Sequence, residues 1–403
     1  LIVKRSAEQM GMKQTNRVIM HVDMDAFYAS VEMVRRPELC ERPMYVAGGE
    51  RGVVLSANYP ARAYGVAGGM PASRARRLCP QAVIIPPDHD RYAEVSAGVM
   101  AILTTVTDRV EVASIDEAFM DVTGAIRRLG EPRLIAELLR AQIVDEQRIC
   151  CSVGIGPNKL IAKMASAQAK PDGMLEIRQD EILSFLHPLP VSAIWGVGEV
   201  TTGRLNSLGL RNIDDLAHTP KQTLQRALGD NAGGWLADLA WGRDERQIAV
   251  WQPEQSVGSQ HTFARDTDDP RLIYQELLRL SARVAARLRS SNWCARSVTI
   301  SVRFSDFKTI TRSAQLASPS DVTDEIYAKA VRLYDSLHLQ RARVRRVGVR
   351  VEGLVAAAEA YLQPTLDAPE RGMREAERAA DLAALKFGPN AVQRASLTVP
   401  AKG

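Results

Sequence analysis

Three carboxylates stand where they could hold a divalent cation. Asp23 closes an apolar run (Val18, Ile19, Met20, Val22) that reads as a buried strand. Asp116 and Glu117 lie between two further runs, RVEVASI and AFMDVT, that read as a hairpin. Transfer of a nucleotidyl group needs an activated hydroxyl and a neutralised triphosphate, and two metal ions about 4 Å apart supply both. Hard ions such as Mg²⁺ favour clustered carboxylate oxygens. Adjacent residues of a regular strand face opposite ways, so Asp116 and Glu117 can share a site only at a bend, which a hairpin tip permits. The same alternation puts Asp25 on the face of Asp23. Solvated acids at turns are common, and this set suits a metal-dependent phosphohydrolase or a nucleotide cyclase as well as a polymerase.

The elements that must position these acids mix strands and helices without strict βα alternation. AFYASVEMV follows Asp25 as a short helix, and PMYVAGG and GVVLSA read as two strands joined by a Gly-rich turn. Pro60 suits a first helical turn, with Tyr59 at its cap. IAELLRAQIVDEQ has helical periodicity, ICCSVGIG is strand-like, and PNKLIAKMASAQAK is helical until Lys170-Pro171-Asp172-Gly173 breaks it. GIGPNK does not satisfy the P-loop pattern GxxxxGK[ST], which excludes that mode of phosphate binding. From about residue 181 the texture is helical and Gly-punctuated. After VWQPEQ, a long helical stretch (RLIYQELLRLSARVAARLRS) precedes SVTISVRFSDFKTITRS. There Val298, Ile300, Val302 and Phe304 share one face, leaving Thr299, Ser301 and Arg303 on the other.

Composition sets the frame. At 403 residues, 46% hydrophobic and 25% charged, the chain has apolar material for two to four domains. No run of eighteen apolar residues is present, so a cytoplasmic location is expected. Residues 1–16 alternate charge with polarity and are expected to be a disordered tail or tag. The five cysteines are scattered, without zinc-site spacing, and read as reduced structural thiols. Residues 256 to 354 carry 17 Lys and Arg against 10 Asp and Glu, a surplus of seven, while the whole chain is only +5. A basic module beside an acidic remainder suits a polyanion-binding arm next to a metal centre.

HVDMDAFYASVE, SANYPARAYGV, SIDEAF, GIGPNKLIAKMAS and AKPDG occur in the order and approximate spacing of Y-family DNA polymerases. The chain resembles that family over roughly residues 17 to 354, in the DNA polymerase IV (DinB) type, and its actinobacterial branch in particular. The resemblance implies an α+β multidomain right-hand polymerase. Its palm would be 17–25 and 90–180, its fingers 26–89, and its thumb 181–245 with a helix-hairpin-helix. A linker at 246–255, a little finger at 256–354 and a C-terminal tail at 355–403 would complete it. It also implies low-fidelity translesion synthesis with no proofreading exonuclease, on primer-template DNA and incoming dNTP, by a monomer.

Residue by residue, the resemblance makes Asp23, Asp116 and Glu117 catalytic metal ligands for two Mg²⁺ ions, with Mn²⁺ able to substitute. The Met24 carbonyl is a further ligand. Against strand geometry, it makes Asp25 a supporting residue. Ser56, Tyr59 and Arg62 match the triphosphate-holding fingers segment, and Lys170 the remaining triphosphate lysine; Lys159 and Lys163 are less specific. Tyr28 matches the steric gate against ribonucleotides. IWGVGEVTTGRLNSLGL resembles a helix-hairpin-helix whose Gly196 and Gly198 let backbone amides approach a phosphate. Arg303, Lys308, Arg312, Arg345, Arg346 and Arg350 suit DNA phosphate contacts. Gln363 to Leu366 sits where relatives carry a sliding-clamp motif, although Pro364 departs from it, and MREAERAADLAALKFG after it looks helical.

Overall fold

A computed structural model describes residues 17–49, 51–251, 253–360, 372–388 and 391–397. The expected tail at 1–16 and the clamp motif from Gln363 to Leu366 lie outside them. The chain separates into two units, Leu1–Gln252 and Pro253–Gly403.

The first unit is built around one apolar strand. β1 (Ile19–Met24) runs into a left-handed residue, Ala26 at φ 48°, which turns the chain into α1 (Phe27–Arg35). β2 (Met44–Ala47), β3 (Val54–Ala57), α2 (Tyr59–Arg62), α3 (Ala72–Leu78) and β4 (Val83–Ile85) then form a small lobe around the sheet β3-β2-β4. α4 (His89–Val106), β5 (Val110–Val112), β6 (Glu117–Asp121), α5 (Ile126–Leu129), α6 (Pro132–Gln147), β7 (Cys151–Gly156), α7 (Lys159–Ala169) and β8 (Met174–Glu176) complete the sheet β5-β6-β1-β7-β8, with β1 at its centre.

Period-two alternation divides this sheet cleanly. Met20, Val22 and Met24 join Val99, Leu103, Ile135 and Leu139 of α4 and α6 in one core. Ile19 faces the other way, onto Phe119 and Ala162 of α7, so His21 and Asp23 point to the α7 side by the same alternation. There α7 lies so close to β7 that a Cβ on Gly154 would meet the Ala162 carbonyl oxygen at 1.9 Å. Glycine is what allows a lysine-bearing helix to sit against the acidic end of the sheet.

The rest of this unit is helical: α8 (Ile182–Leu186), α9 (Glu199–Ser207), α10 (Ile213–Ala217), α11 (Lys221–Leu228) and α12 (Asp230–Ala240). Leu205, Leu216, Leu224 and Leu236 share a core with Leu160 and Met164 of α7.

The second unit has four strands, β9 (Ser256–Thr267), β10 (Trp293–Phe304), β11 (Thr309–Ser320) and β12 (Val344–Ala356), in the order β11-β10-β12-β9. Two helices, α13 (Pro270–Ser290) and α14 (Thr323–Asp335), cover the face carrying Val298, Ile300, Val302, Val347 and Val349. A last helix, α15 (Met373–Phe387), follows. Among the described residues no helix is long and apolar enough to cross a membrane.

Candidate active site

The sheet register brings the acids together. Asp23 on β1 lies directly opposite Glu117 on β6, and the Met24 amide donates to the Asp116 carbonyl at 2.9 Å. Asp116 falls in the bend just before β6, so the hairpin does break the alternation between the two neighbouring acids. Oxygens of Asp23 and Glu117 and a ring nitrogen of His21 lie within 4.8 Å of one another. Asp116 stands outside that group, its Oδ1 accepting from Ser114 Oγ at 2.5 Å.

Two ammonium groups already neutralise this pair. Lys170 Nζ donates to Asp23 Oδ1 at 2.5 Å, and Lys163 Nζ to Glu117 Oε2 at 2.5 Å. Burial pushes the Asp23 carboxyl above its usual range, against the pull of Lys170, and the Asp116 charge adds to the rise. Glu117 moves the other way, to about 2, held down by His21 and then by Lys163. His21 is fully buried, with Nδ1 2.7 Å from Ser166 Oγ and Nε2 3.5 Å from Glu117. Ser166 Oγ, which also donates to the Lys163 carbonyl at 2.8 Å, fixes the ring through Nδ1, and Nε2 faces Lys163 and Glu117. The donor set is oxygen-rich, balanced by positive charge and open to a hard cation, and so fits a divalent metal ion.

Asp25 behaves differently from Asp23. It is buried, and its carboxylate accepts from Ser152 Oγ at 3.0 Å, the Asp172 amide at 2.7 Å and the Tyr59 hydroxyl at 3.4 Å. Strand geometry alone made it a ligand; here it ties β7, the 170–173 turn and α2 together and stays out of the cluster.

The fingers-like segment stands beside it. Asn58, not Tyr59, caps α2: its Oδ1 accepts from the amides of Ala61 (3.1 Å) and Met44 (3.0 Å), and its Nδ2 donates to the Leu39 and Arg42 carbonyls. That moves the expected cap by one residue, because a side-chain amide can satisfy the first turn and a tyrosine cannot. Arg62 stacks on the Tyr59 ring at 4.9 Å and donates to the Ala57 carbonyl, while Ser56 is buried on β3. Burial and the Asp25 charge raise the Tyr59 hydroxyl to about 12. Tyr28 packs on Tyr92, ring centroids 4.7 Å apart, and burial and then the charge of Asp116 raise its pKa.

Lys159 is separate from the acid cluster. It is buried, paired with Glu111 at 2.5 Å and lies over the Phe119 ring. Sequence reasoning missed His21 and gave Lys163 no role. Both had a signal: His21 shares the alternation of Asp23, and Lys163 lies two helical turns before Lys170.

The candidate DNA-contact residues are not all brought together. Gly196 has φ 98°, and a Cβ there would meet the Trp235 ring at 2.7 Å, whereas Gly198 is open and caps α9. In the second unit Arg303 pairs with Arg346, and Arg350 with Thr299, on the uncovered face of the sheet. Arg346 has an unpartnered buried Nε, and burial and then Arg303 lower its pKa. Arg312 lies opposite Ile300, which puts it on the helix-covered face at the edge strand. Arg345 is the extra residue of a bulge and lies over Phe307, and Lys308 sits in the β10–β11 turn beside Asp306.

An acidic sheet end backed by lysines, a following helical region and a basic four-stranded module define a class, the right-hand nucleic-acid polymerases. Residues 22–167 match the impB/mucB/samB family, 179–210 the IMS family HHH motif, and 254–366 the impB/mucB/samB family C-terminal domain. A DNA polymerase IV of Desulfatibacillum aliphaticivorans is 40% identical over 95% of this chain and 97% of its own. One of Alkalilimnicola ehrlichii is 41% identical over 85% and 96%. A solved Y-family DNA polymerase chimera superposes with TM-score 0.77 at 28% identity, covering 84% of this chain and 99% of its own. An insertion ternary complex of Dbh DNA polymerase covers the same shares at TM-score 0.59 and 28% identity.

The chain belongs to the Y-family DNA polymerases, of the DNA polymerase IV (DinB) type. Its architecture is that of palm, fingers, thumb and little finger, and its family is metal-dependent.

Proposed function

We propose that this chain is a template-directed DNA polymerase that adds deoxynucleotides to a primer 3′ end with low fidelity. Its work would be translesion synthesis in DNA repair and damage tolerance. The observation that carries the reading is the cross-strand pair of Asp23 and Glu117 at a sheet end, each carboxylate met by an ammonium and flanked by Asp116.

Asp23, Asp116, Glu117 and the Met24 carbonyl would hold two Mg²⁺ ions, or Mn²⁺ in their place. When bound, the ions activate the primer hydroxyl and neutralise triphosphate charge. The chain's own groups do the remaining work. Asp25 holds the floor of the site through Ser152, Asp172 and Tyr59. Ser56, Tyr59, Arg62 and Lys170 bind the triphosphate, and Tyr28, packed against Tyr92, walls the sugar. DNA is held by Gly196 and Gly198 and by the basic module, where Arg303, Arg346 and Arg350 share one face and Lys308 and Arg345 border it, while Arg312 lies on the covered face and takes no part.

We read palm at 17–25 and 90–180, fingers at 26–89, thumb at 181–245, linker at 246–255, little finger at 256–354 and tail at 355–403. The solved Dbh ternary complexes support DNA and a deoxynucleotide as partners. A monomeric, cytoplasmic enzyme without proofreading, engaging a sliding clamp through residues 363–366, completes the proposal. Primer extension with Mg²⁺ tests it. Asp116→Ala is expected to abolish extension while primer-template binding persists, since DNA affinity resides in basic groups elsewhere. Full activity in that variant would refute the assignment.

A further inference from the structure

The C-terminal helix is docked the wrong way round for an amphipathic helix. A surface helix ordinarily buries its apolar stripe and turns its charges to water. α15 is held instead by its charges. Glu377, itself buried, accepts from Arg289 at 2.5 Å and from Arg394 at 2.5 Å. Asp381 takes Arg289 Nε at 2.6 Å, and Arg374 donates to Asp321 Oδ2 at 2.9 Å. Arg289 and Asp321 are almost wholly enclosed, so the clamp is a desolvated ionic network that fixes the helix in one rotation.

That rotation leaves bulky apolar side chains in water: Leu382 at 67% exposure, Phe387 at 72% and Leu385 at 85%. Leu382 and Leu385 line a groove of about 650 Å³ between α13 and α15, with Ala286 on its opposite wall. Arg283, Arg287 and Arg378 also line it, and none of the three has an ion pair among the described residues. Arg283 and Arg287 make only neutral hydrogen bonds, to Ser259 Oγ and the Gly258 carbonyl. The one acid among the described residues of the groove, Asp381, is already taken by Arg289. The result is an apolar floor with a cationic rim that forms no ion pair among the described residues.

We propose that this groove docks a protein segment combining acidic side chains with bulky apolar ones. The leucines would receive the apolar side chains and the arginines would pair with the carboxylates, which gives register and specificity as well as attraction. Each wall spans about eight residues, roughly 12 Å at 1.5 Å per residue, so the segment is short: two helical turns, or three to four extended residues. Nucleic acid would be drawn to the arginines but has no use for the leucines. The groove also lies between helices, whereas Arg303 and Arg350 stand on the uncovered sheet face. The proposal does not rest on the polymerase reading.

The test uses the full chain and a fluorescein-labelled twelve-residue peptide carrying four Asp and two Phe. Two control peptides replace Asp by Lys or Phe by Ser. Fluorescence anisotropy is expected to show binding of the first peptide and at least tenfold weaker binding of both controls. Leu385→Ser and Arg287→Glu should each weaken it at least tenfold while primer extension is unchanged. Both side chains project into the groove rather than into the ionic clamp, and Arg287→Glu carries the test if Leu385→Ser lowers the melting temperature. Equal binding of the Phe-to-Ser peptide would show a surface that reads charge alone and would overturn the proposal. So would indifference to both substitutions. A duplex DNA affinity that falls with both Arg287→Glu and Arg378→Glu would assign the rim to nucleic acid instead. A dimer, seen by sedimentation and lost in Leu385→Ser, would make a second copy the occupant.

Discussion

The acidic end of the first unit's sheet and the basic face of the second unit's sheet handle charge in opposite ways. At the acidic end the groups are few, enclosed and mutually determined: Asp23 with Lys170, Glu117 with Lys163 and His21, and Asp25 with three donors of its own. On the basic face the arginines are spread along strands, and several have weak partners or none: Arg350 beside Glu352 at 2.8 Å, Arg346 with a bare Nε. Chemistry at one atom requires the first arrangement, because a charge misplaced by an ångström is ineffective. Holding a polyanion of any sequence requires only the second. Single substitutions should therefore have steep effects at one region and shallow, additive ones at the other.

Beyond the metal-holding acids themselves, the largest effect should come from a side chain that touches only the wrong substrate. Tyr28→Ala is expected to raise ribonucleotide addition by on the order of a hundredfold or more while deoxynucleotide addition stays near wild type, because removing a clash alters one substrate alone. Steady-state kcat/KM for both nucleotide classes checks this. Joint loss of both activities would make Tyr28 a packing partner of Tyr92 and nothing more.

A second way to break the contrast is at Asp25. Asp25→Ala strands the buried Ser152 hydroxyl and removes the acceptor of the part-buried Asp172 amide, at a cost of about 2 kcal/mol from lost and unsatisfied hydrogen bonds. Urea unfolding should show a lower midpoint with an unchanged slope. A variant of unaltered stability would return Asp25 to the role of a simple ligand.

The smallest effects belong to the basic face, and register sharpens them. Arg350→Ala should weaken primer-template binding a few fold and reduce the slope of log affinity against log salt by about 1. Arg312→Ala, on the covered face at the edge strand, should leave both within error. Equal effects of the two would mean that sheet register does not decide which arginines meet DNA.

Much of this was legible before the structure. The strands, the hairpin-tip acids and the long helix at 270–290 follow from periodicity, and matching strings carried the family. What escaped depended on partners remote in sequence. His21 lies on the face of Asp23 by simple alternation, yet its bond to Ser166, 145 residues away, is what fixes its ring. Asn58 is an ordinary helix cap by type, and only folding shows that it also ties Met44, Leu39 and Arg42. Arg312 groups with the other arginines by charge, and only the strand register separates it from them. The hairpin pairs Arg303 with Thr309, and counting on from there puts Arg312 opposite Ile300. The helix at 373–387 was readable as a helix, but its docking by Arg374, Glu377 and Asp381 was not, since amphipathic patterns are read on the assumption that the apolar face packs.

The central claim is that the Asp23 and Glu117 pair holds divalent metal. Manganese binding followed by electron paramagnetic resonance, in the full chain with primer-template and a non-hydrolysable deoxynucleotide, tests it without relying on turnover. Wild type is predicted to bind Mn²⁺ and release it to excess Mg²⁺, and Glu117→Gln to lose at least one ion while keeping its DNA affinity. Manganese bound equally well by Glu117→Gln, in number and in strength, would contradict the account.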